Sequence, residues 1–259
     1  VVFDDYGLGR PDHEAIADGR PALVIDDLAD RSLGGALILD SGPARTEADY
    51  RGLTSGARLL LGPKFAPVRP AFAALRNTAL ARRKGTPRRV LVSMGLTDLD
   101  GITGKVVEQL RRRYGETELD VVVGAGAPSR KGLTRIAAHD PRLTLHVDTP
   151  DMAELATAAD LAVGAAGSAM WERCVLGLPS VVVTIADNQV PAATALAKAG
   201  AVLRVDGRAE SFDRAMTRLF IDETLRASLA EKSAELCDGE GAARVADAFW
   251  PLLVQAATV

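Results

Sequence analysis

Short apolar runs alternate with helix-length stretches along this chain, most regularly from Arg88 onward, and nothing else in the sequence limits its fold as strongly. Strands are expected at Val90–Ser93, Asp120–Val123, Leu143–Val147, Leu161–Gly164, Ser180–Ile185 and Ala201–Val205. The spacing between them predicts helices over Ile102–Tyr114, Arg130–His139, Met152–Ala159, Gly167–Leu176 and Val190–Ala199, with helix again beyond Val205. Helices of this length carry the chain back across a sheet face, so the strands they join pair in parallel. The expected product is a doubly wound α/β domain whose ligands sit beyond the carboxyl ends of its strands.

The first third follows the same rule with fewer helices. Strands are expected at Val1–Phe3, Ala22–Ile25, Gly35–Leu39 and Arg58–Leu61, and a single good helix around Asp12–Asp18. Asp26-Asp27 and Asp40-Ser41-Gly42 read as turn material after strands. Phe65–Arg83 is amphipathic and basic, broken by Pro67 and Pro70, and Arg82–Pro87 reads as a linker. The expected organisation is therefore α/β throughout. A partial Rossmann-like domain occupies residues 1–85, and a complete one with C-terminal helices occupies residues 86–259. A chain that opens in mid-strand at Val1-Val2-Phe3, without an initiator Met, is expected to lack an upstream segment.

Composition removes several function classes. With 31 basic and 34 acidic residues and a net charge of −3, the chain carries no positive excess to meet nucleic acid. No apolar run approaches the ~20 residues of a membrane span. Cys174 and Cys237 have neither zinc spacing nor a disulfide framework, which fits buried thiols in a reducing cytoplasm. His13, His139 and His146 cluster neither with one another nor with the cysteines, so no metal is expected, and no cofactor is implied. His139 is expected in solvent at a helix end, and His146 as a packed core residue.

Three strand ends carry chemistry. The stretch Val163-Gly164-Ala165-Ala166-Gly167-Ser168 leads from a strand into a helix. Small residues there let the backbone approach a ligand, and unpaired helix-start amides suit a phosphate. Ser168 and Glu172 lie one turn apart on one face, where a carboxylate can accept both hydroxyls of a ribose. The spacing is one residue too long for a capping box, which leaves a solvated glutamate as the plain alternative. A second loop, Ser93-Met94-Gly95-Leu96-Thr97-Asp98, is ordinary alone, but two phosphates need two sets of donors. The third, Ala186-Asp187-Asn188-Gln189, offers side chains able to bond sugar hydroxyls, or simply an Asx turn capping the next helix.

These residues, with Asp4-Asp5-Tyr6, Ile25–Asp30 and Leu60–Phe65, resemble the UDP-sugar hydrolases of pseudaminic acid biosynthesis, which release UDP from UDP-2,4-diacetamido-2,4,6-trideoxy-β-L-altrose. A weaker resemblance, mainly over Gly167–Pro179, runs to two-domain GT-B glycosyltransferases, including the enzyme that adds N-acetylglucosamine in making lipid II. The resemblance implies two Rossmann-like domains of GT-B type, the first incomplete, acting on a UDP-sugar in the cytoplasm. It implies Gly167 and Ser168 on the pyrophosphate, Glu172 on the ribose and Val147 to Met152 on the uracil, with Gly95 and Asp98 of the second loop as further substrate-binding residues. Asn188 and Gln189 would face the sugar, with Tyr6 and Asn188 as catalytic groups. The family's base is a histidine in a glycine-rich loop after its first strand, and no histidine here matches it. Leu96 stands where the family has a second glycine. The sequence thus suggests a hydrolase that binds better than it turns over, a transferase using the same donor, or a non-catalytic nucleotide-sugar-binding module.

Overall fold

A computed structural model describes residues 1–82, 85–206 and 208–257. Residues 83 and 84 of the expected Arg82–Pro87 linker lie outside the described residues. The first elements are β1 (Val2–Phe3), α1 (Arg10–Ala17), β2 (Leu23–Ile25), β3 (Leu37–Asp40) and β4 (Arg58–Leu61). There follow α2 (Pro70–Ala81), β5 (Arg89–Ser93), α3 (Ile102–Arg113), β6 (Glu118–Val123), α4 (Arg130–Ala137) and β7 (Leu143–Val147). The chain continues through α5 (Met152–Ala158), β8 (Leu161–Ala165), α6 (Ala169–Val175), β9 (Ser180–Val183), α7 (Gln189–Lys198) and β10 (Leu203–Val205). It ends in α8 (Ala209–Ile221), α9 (Glu223–Leu236) and α10 (Gly241–Ala257). Among the described residues no helix is long and apolar enough to cross a membrane.

The chain forms two compact units, residues 1–68 with the stretch from Cys237 onward, and Arg69–Leu236. This differs at both ends from a division at residue 85. Helix α2 belongs to the second unit, where Arg76 donates to Val175 O at 2.6 Å and Ala234 O at 2.7 Å. Helix α10 returns to the first unit, where a Cβ on Gly241 would lie 2.1 Å from Ala66 O. Periodicity identifies a helix and its apolar face, but not which sheet that face covers.

In the first unit four parallel strands run in the order β1-β2-β3-β4. Alternate residues divide between its faces, as the two-residue period of a strand requires. Phe3, Val24 and Ile38 pack with Ala17, Leu33 and Tyr50 on one face. Leu23, Leu37, Leu39 and Leu60 pack with Val245 and Ala248 of α10 on the other.

In the second unit six parallel strands run β10-β9-β8-β5-β6-β7. The chain enters at β5, steps outward through β6 and β7, then crosses to β8 and steps outward the other way. The reversal falls between β5 and β8, whose register pairs Ser93 with Gly164. Two expected boundaries shift for local reasons. Strand β9 stops at Val183, and the amide of Ile185 goes to Gln189 Oε1 instead (3.1 Å). Ala201 is not in β10, because α7 ends with Gly200 at φ +73° and the Ala201 amide bonds back to Leu196 O (2.9 Å).

Candidate functional site

The sequence-marked loops of the second unit all leave the carboxyl edge of one parallel sheet. Residues 94–98 follow β5, 148–151 follow β7, 166–168 follow β8, and 184–188 follow β9. The β5 and β8 loops flank the strand-order reversal, where the chains leaving adjacent strands diverge and open a crevice. Strand β7 lies three spacings from β8, about 14 Å across the sheet. Val147 and Met152 therefore stand at one margin of this edge and Gly167 near its middle.

The β8 loop is built for close approach. The helical hydrogen bonds begin with Met170 N to Gly167 O (2.9 Å) and Trp171 N to Ser168 O (3.0 Å), so the amides ahead of them are not used by the helix. Ser168 is exposed, and its hydroxyl makes no capping bond. Gln189 reaches this loop from the next one, its Nε2 lying 3.9 Å from where a Cβ on Gly167 would stand. Asn188, at the start of α7, is exposed and also makes no capping bond, so it does not serve as a helix cap.

Glu172 is mostly buried, its side chain 16% exposed, so the solvated alternative does not hold. Its Oε1 accepts from Arg69 Nε at 2.8 Å, leaving Oε2 for another donor. Sequence reasoning missed Arg69, which lies 103 residues away and carries no local mark.

The β5 loop corrects one expectation. Gly95 holds φ +97° with open space around its Cβ position, as a close-approach residue should. Asp98, expected among the substrate-binding residues, is fully buried. Its Oδ1 accepts from Thr103 N and its Oδ2 from Ser129 N, both at 2.8 Å. Burial pushes its carboxyl up, but the bonds from Thr103 and Ser129 outweigh that and hold it below the ordinary range. Asp98 thus ties the β5 loop to α3 and α4 and presents no carboxylate to a ligand, so any contact here falls to the backbone around Gly95. Leu96 is 59% exposed, and its carbonyl accepts from Gly124 N at 3.0 Å.

Arg173, which no motif flagged, is 4% exposed beneath the β8 loop. It donates from Nη2 to Ala165 O at 2.7 Å, and burial pushes its pKa down. A Cβ on Gly164 would stand 2.5 Å from its Nη1 and 2.9 Å from Ser93 O, so glycine is required there.

The three histidines differ in their settings. His146 is not packed in the core; its Nε2 lies 2.9 Å from Asp120 Oδ1 at half-burial. His139 is exposed beside Arg135 O. His13 is fully buried in the first unit, accepting from Gly34 N at Nδ1 (3.2 Å), with its ring 4.6 Å from that of Phe3.

The first unit has its own polar cluster at the carboxyl edge of its sheet. Asp26 follows β2 and Asp40 ends β3, and both are buried. The Tyr50 hydroxyl lies 2.8 Å from one carboxylate and 2.7 Å from the other. Arg31 pairs with Asp26 (2.8 Å) and Arg45 with Asp40 (2.6 Å). Asp40 also accepts from Gly42 N at 2.7 Å, the Asx turn its sequence suggests. Burial, with Asp26 and Asp40 nearby, raises the Asp27 carboxyl above its ordinary value. Tyr6, exposed after β1, donates to Asp27 Oδ2 at 3.1 Å within this unit.

No protein-family model matches the chain. It is 28% identical over 194 residues, 73% of its length, to the spore coat polysaccharide biosynthesis protein SpsG of Bacillus subtilis (strain 168). The match spans only 57% of that relative. Among solved structures it resembles MurG of Acinetobacter baumannii, with a TM-score of 0.67 at 20% identity over 97% of this chain and 73% of that one. It also resembles MnaA of S. aureus, solved with UDP, with a TM-score of 0.65 at 14% identity over 92% and 72%. The fold is two parallel-sheet α/β units of GT-B type, as the resemblance in the sequence implies.

Proposed function

We propose that the chain is the nucleotide-sugar-binding part of a sugar-nucleotide enzyme in polysaccharide biosynthesis, acting in the cytoplasm and releasing UDP from a UDP-linked 2,4-diacetamido-2,4,6-trideoxy hexose to water. One observation carries the reading: four loops marked in the sequence meet at the carboxyl edge of one parallel sheet, and two of them flank its reversal point. The likeness to SpsG supports the pathway class, and a structure of MnaA with UDP supports the nucleotide.

In this reading the Gly167–Ser168 amides and the backbone around Gly95 receive the diphosphate, and Glu172 Oε2 accepts from the ribose. Val147 to Met152 flank the uracil, and Asn188 and Gln189 face the sugar. Water oxygen bonds to the anomeric carbon as the bond from that carbon to the UDP oxygen breaks. The water proton passes to a general base, and UDP leaves with its new charge held by backbone donors. The base is not assigned among these residues.

Calorimetry is the first test. UDP should bind far more tightly than uridine, and equal affinities would remove the diphosphate from the site. Incubation with the UDP-sugar and no acceptor then separates the chemistries. Free sugar appearing with UDP supports hydrolysis, whereas UDP release only on adding an acceptor makes the enzyme a transferase.

A further inference from the structure

Among the described residues the second unit contains two buried arginines, and they are satisfied differently. Arg226, 8% exposed, donates to Leu219 O and Phe220 O at the end of α8 and to Gly85 O. Carbonyls at a helix end are a fitting partner for a cation, and Arg226 is fully explained as a brace. Arg173, more deeply buried, bonds Ala165 O, and its Nε meets no partner. Among the described residues no carboxylate stands within ion-pair range of it. A guanidinium stays charged even in such a place, and a charge taken from water without a counter-charge is unfavourable. A fold keeps such a group where a ligand supplies the missing charge.

Its position indicates the ligand. The guanidinium lies against Gly164 and Ala165 at the end of β8, and the Cβ position of Gly164 falls between it and Ser93 O at the end of β5. It therefore underlies the sheet's reversal point, directly below the loop that carries Gly167 and Ser168. The fork geometry of arginine allows one amino group to hold the Ala165 carbonyl while the charge spreads over the rest.

We propose that Arg173 is the fixed positive charge for a diphosphate seated on the β8 loop, acting from beneath the loop while the backbone amides make the contacts. The inference rests on the nucleotide reading above and adds to it the residue that sets selectivity for the diphosphate over the nucleoside. A buried charge is only weakly screened, so it acts strongly on an anion a few ångströms away.

The test compares wild type, Arg173→Met and Arg173→Lys by calorimetry with UDP and uridine, alongside melting of the empty proteins. Arg173→Met should weaken UDP roughly ten- to a hundredfold, the range of a charge-assisted interaction, and leave uridine unchanged. Empty Arg173→Met should melt no lower than wild type, because an apolar side chain replaces an uncompensated charge. Arg173→Lys, which keeps the charge, should retain a preference for UDP over uridine. If Arg173→Met lowers melting and weakens UDP and uridine alike, Arg173 is a brace and the proposal is overturned. Unchanged UDP affinity in Arg173→Met overturns it while leaving the nucleotide reading intact. Equal binding of UDP and uridine by wild type overturns both.

Discussion

At the carboxyl edge of the four-stranded sheet, buried Asp26 and Asp40 each hold an arginine and share the Tyr50 hydroxyl. At the same edge of the six-stranded sheet, a buried arginine has no carboxylate partner among the described residues, and the β8 loop beside it, Ala166-Gly167-Ser168, is made of small residues. The architecture alone would treat the two edges as equivalent. Their charges do not. Where every buried ion has its partner, the cluster is complete and fixes the loops that carry it. Where a cation is left over, the balance comes from outside the chain. An anionic ligand is therefore expected on the second unit, and the first edge is a structural frame with Asp27 and Tyr6 at its surface.

The largest effect should come from breaking the compensated edge. Tyr50→Phe leaves two buried carboxylates without their shared hydroxyl, at a cost of about 2–3 kcal/mol in stability. Urea unfolding of the variant measures this, and calorimetry should show UDP affinity unchanged. A fall in UDP affinity without loss of stability would mean that the first edge binds the nucleotide, reversing the comparison.

A comparable effect, on binding rather than folding, belongs to Glu172. Glu172→Ala should weaken UDP by about 1.5–3 kcal/mol and weaken 2′,3′-dideoxy-UDP little. Equal losses on both nucleotides would assign Glu172 to holding Arg69. Removing Arg69 itself, half-exposed in its ion pair, should cost under about 1 kcal/mol.

The smallest effect is a pH slope confined to the first unit. Burial, aided by Arg31, lowers the His13 pKa below 6.5, against the smaller pull of Asp12 and Asp26. The unfolded chain then binds the proton more readily, so stability is full above pH 6.5 and falls as pH drops toward the lowered value. Melting temperature followed downward from pH 6.5 should decline in wild type and decline less in His13→Gln. A slope unaffected by His13→Gln would place the acid sensitivity in another group.

The strands and their loops were legible because periods of two and 3.6 and glycine-bearing turns are local signals. The convergence of Gly95, Gly167 and Asn188 at one edge followed from parallel pairing alone. What could not be read depends on partners distant in sequence. Asp98 looks like any polar loop residue until Ser129 N is found on its carboxylate. Arg173 sits in a helix where the local pattern gives no cue to burial, and only the position of Gly164 against it reveals the guanidinium. Glu172 could be placed one turn from Ser168, but its pairing with Arg69 is a tertiary fact.

The path of α10 has a bearing on how the molecule is made. Its Val245 and Ala248 cover Leu23, Leu37, Leu39 and Leu60, on strands that precede the whole second unit in the chain. The middle of the chain, by contrast, holds all six strands of its sheet before α10 exists. The four-stranded sheet, translated before the six-stranded one, is thus covered after it. Until α10 arrives, Leu23, Leu37, Leu39 and Leu60 present an open face, and the ribosome must deliver the whole second unit before that face is closed.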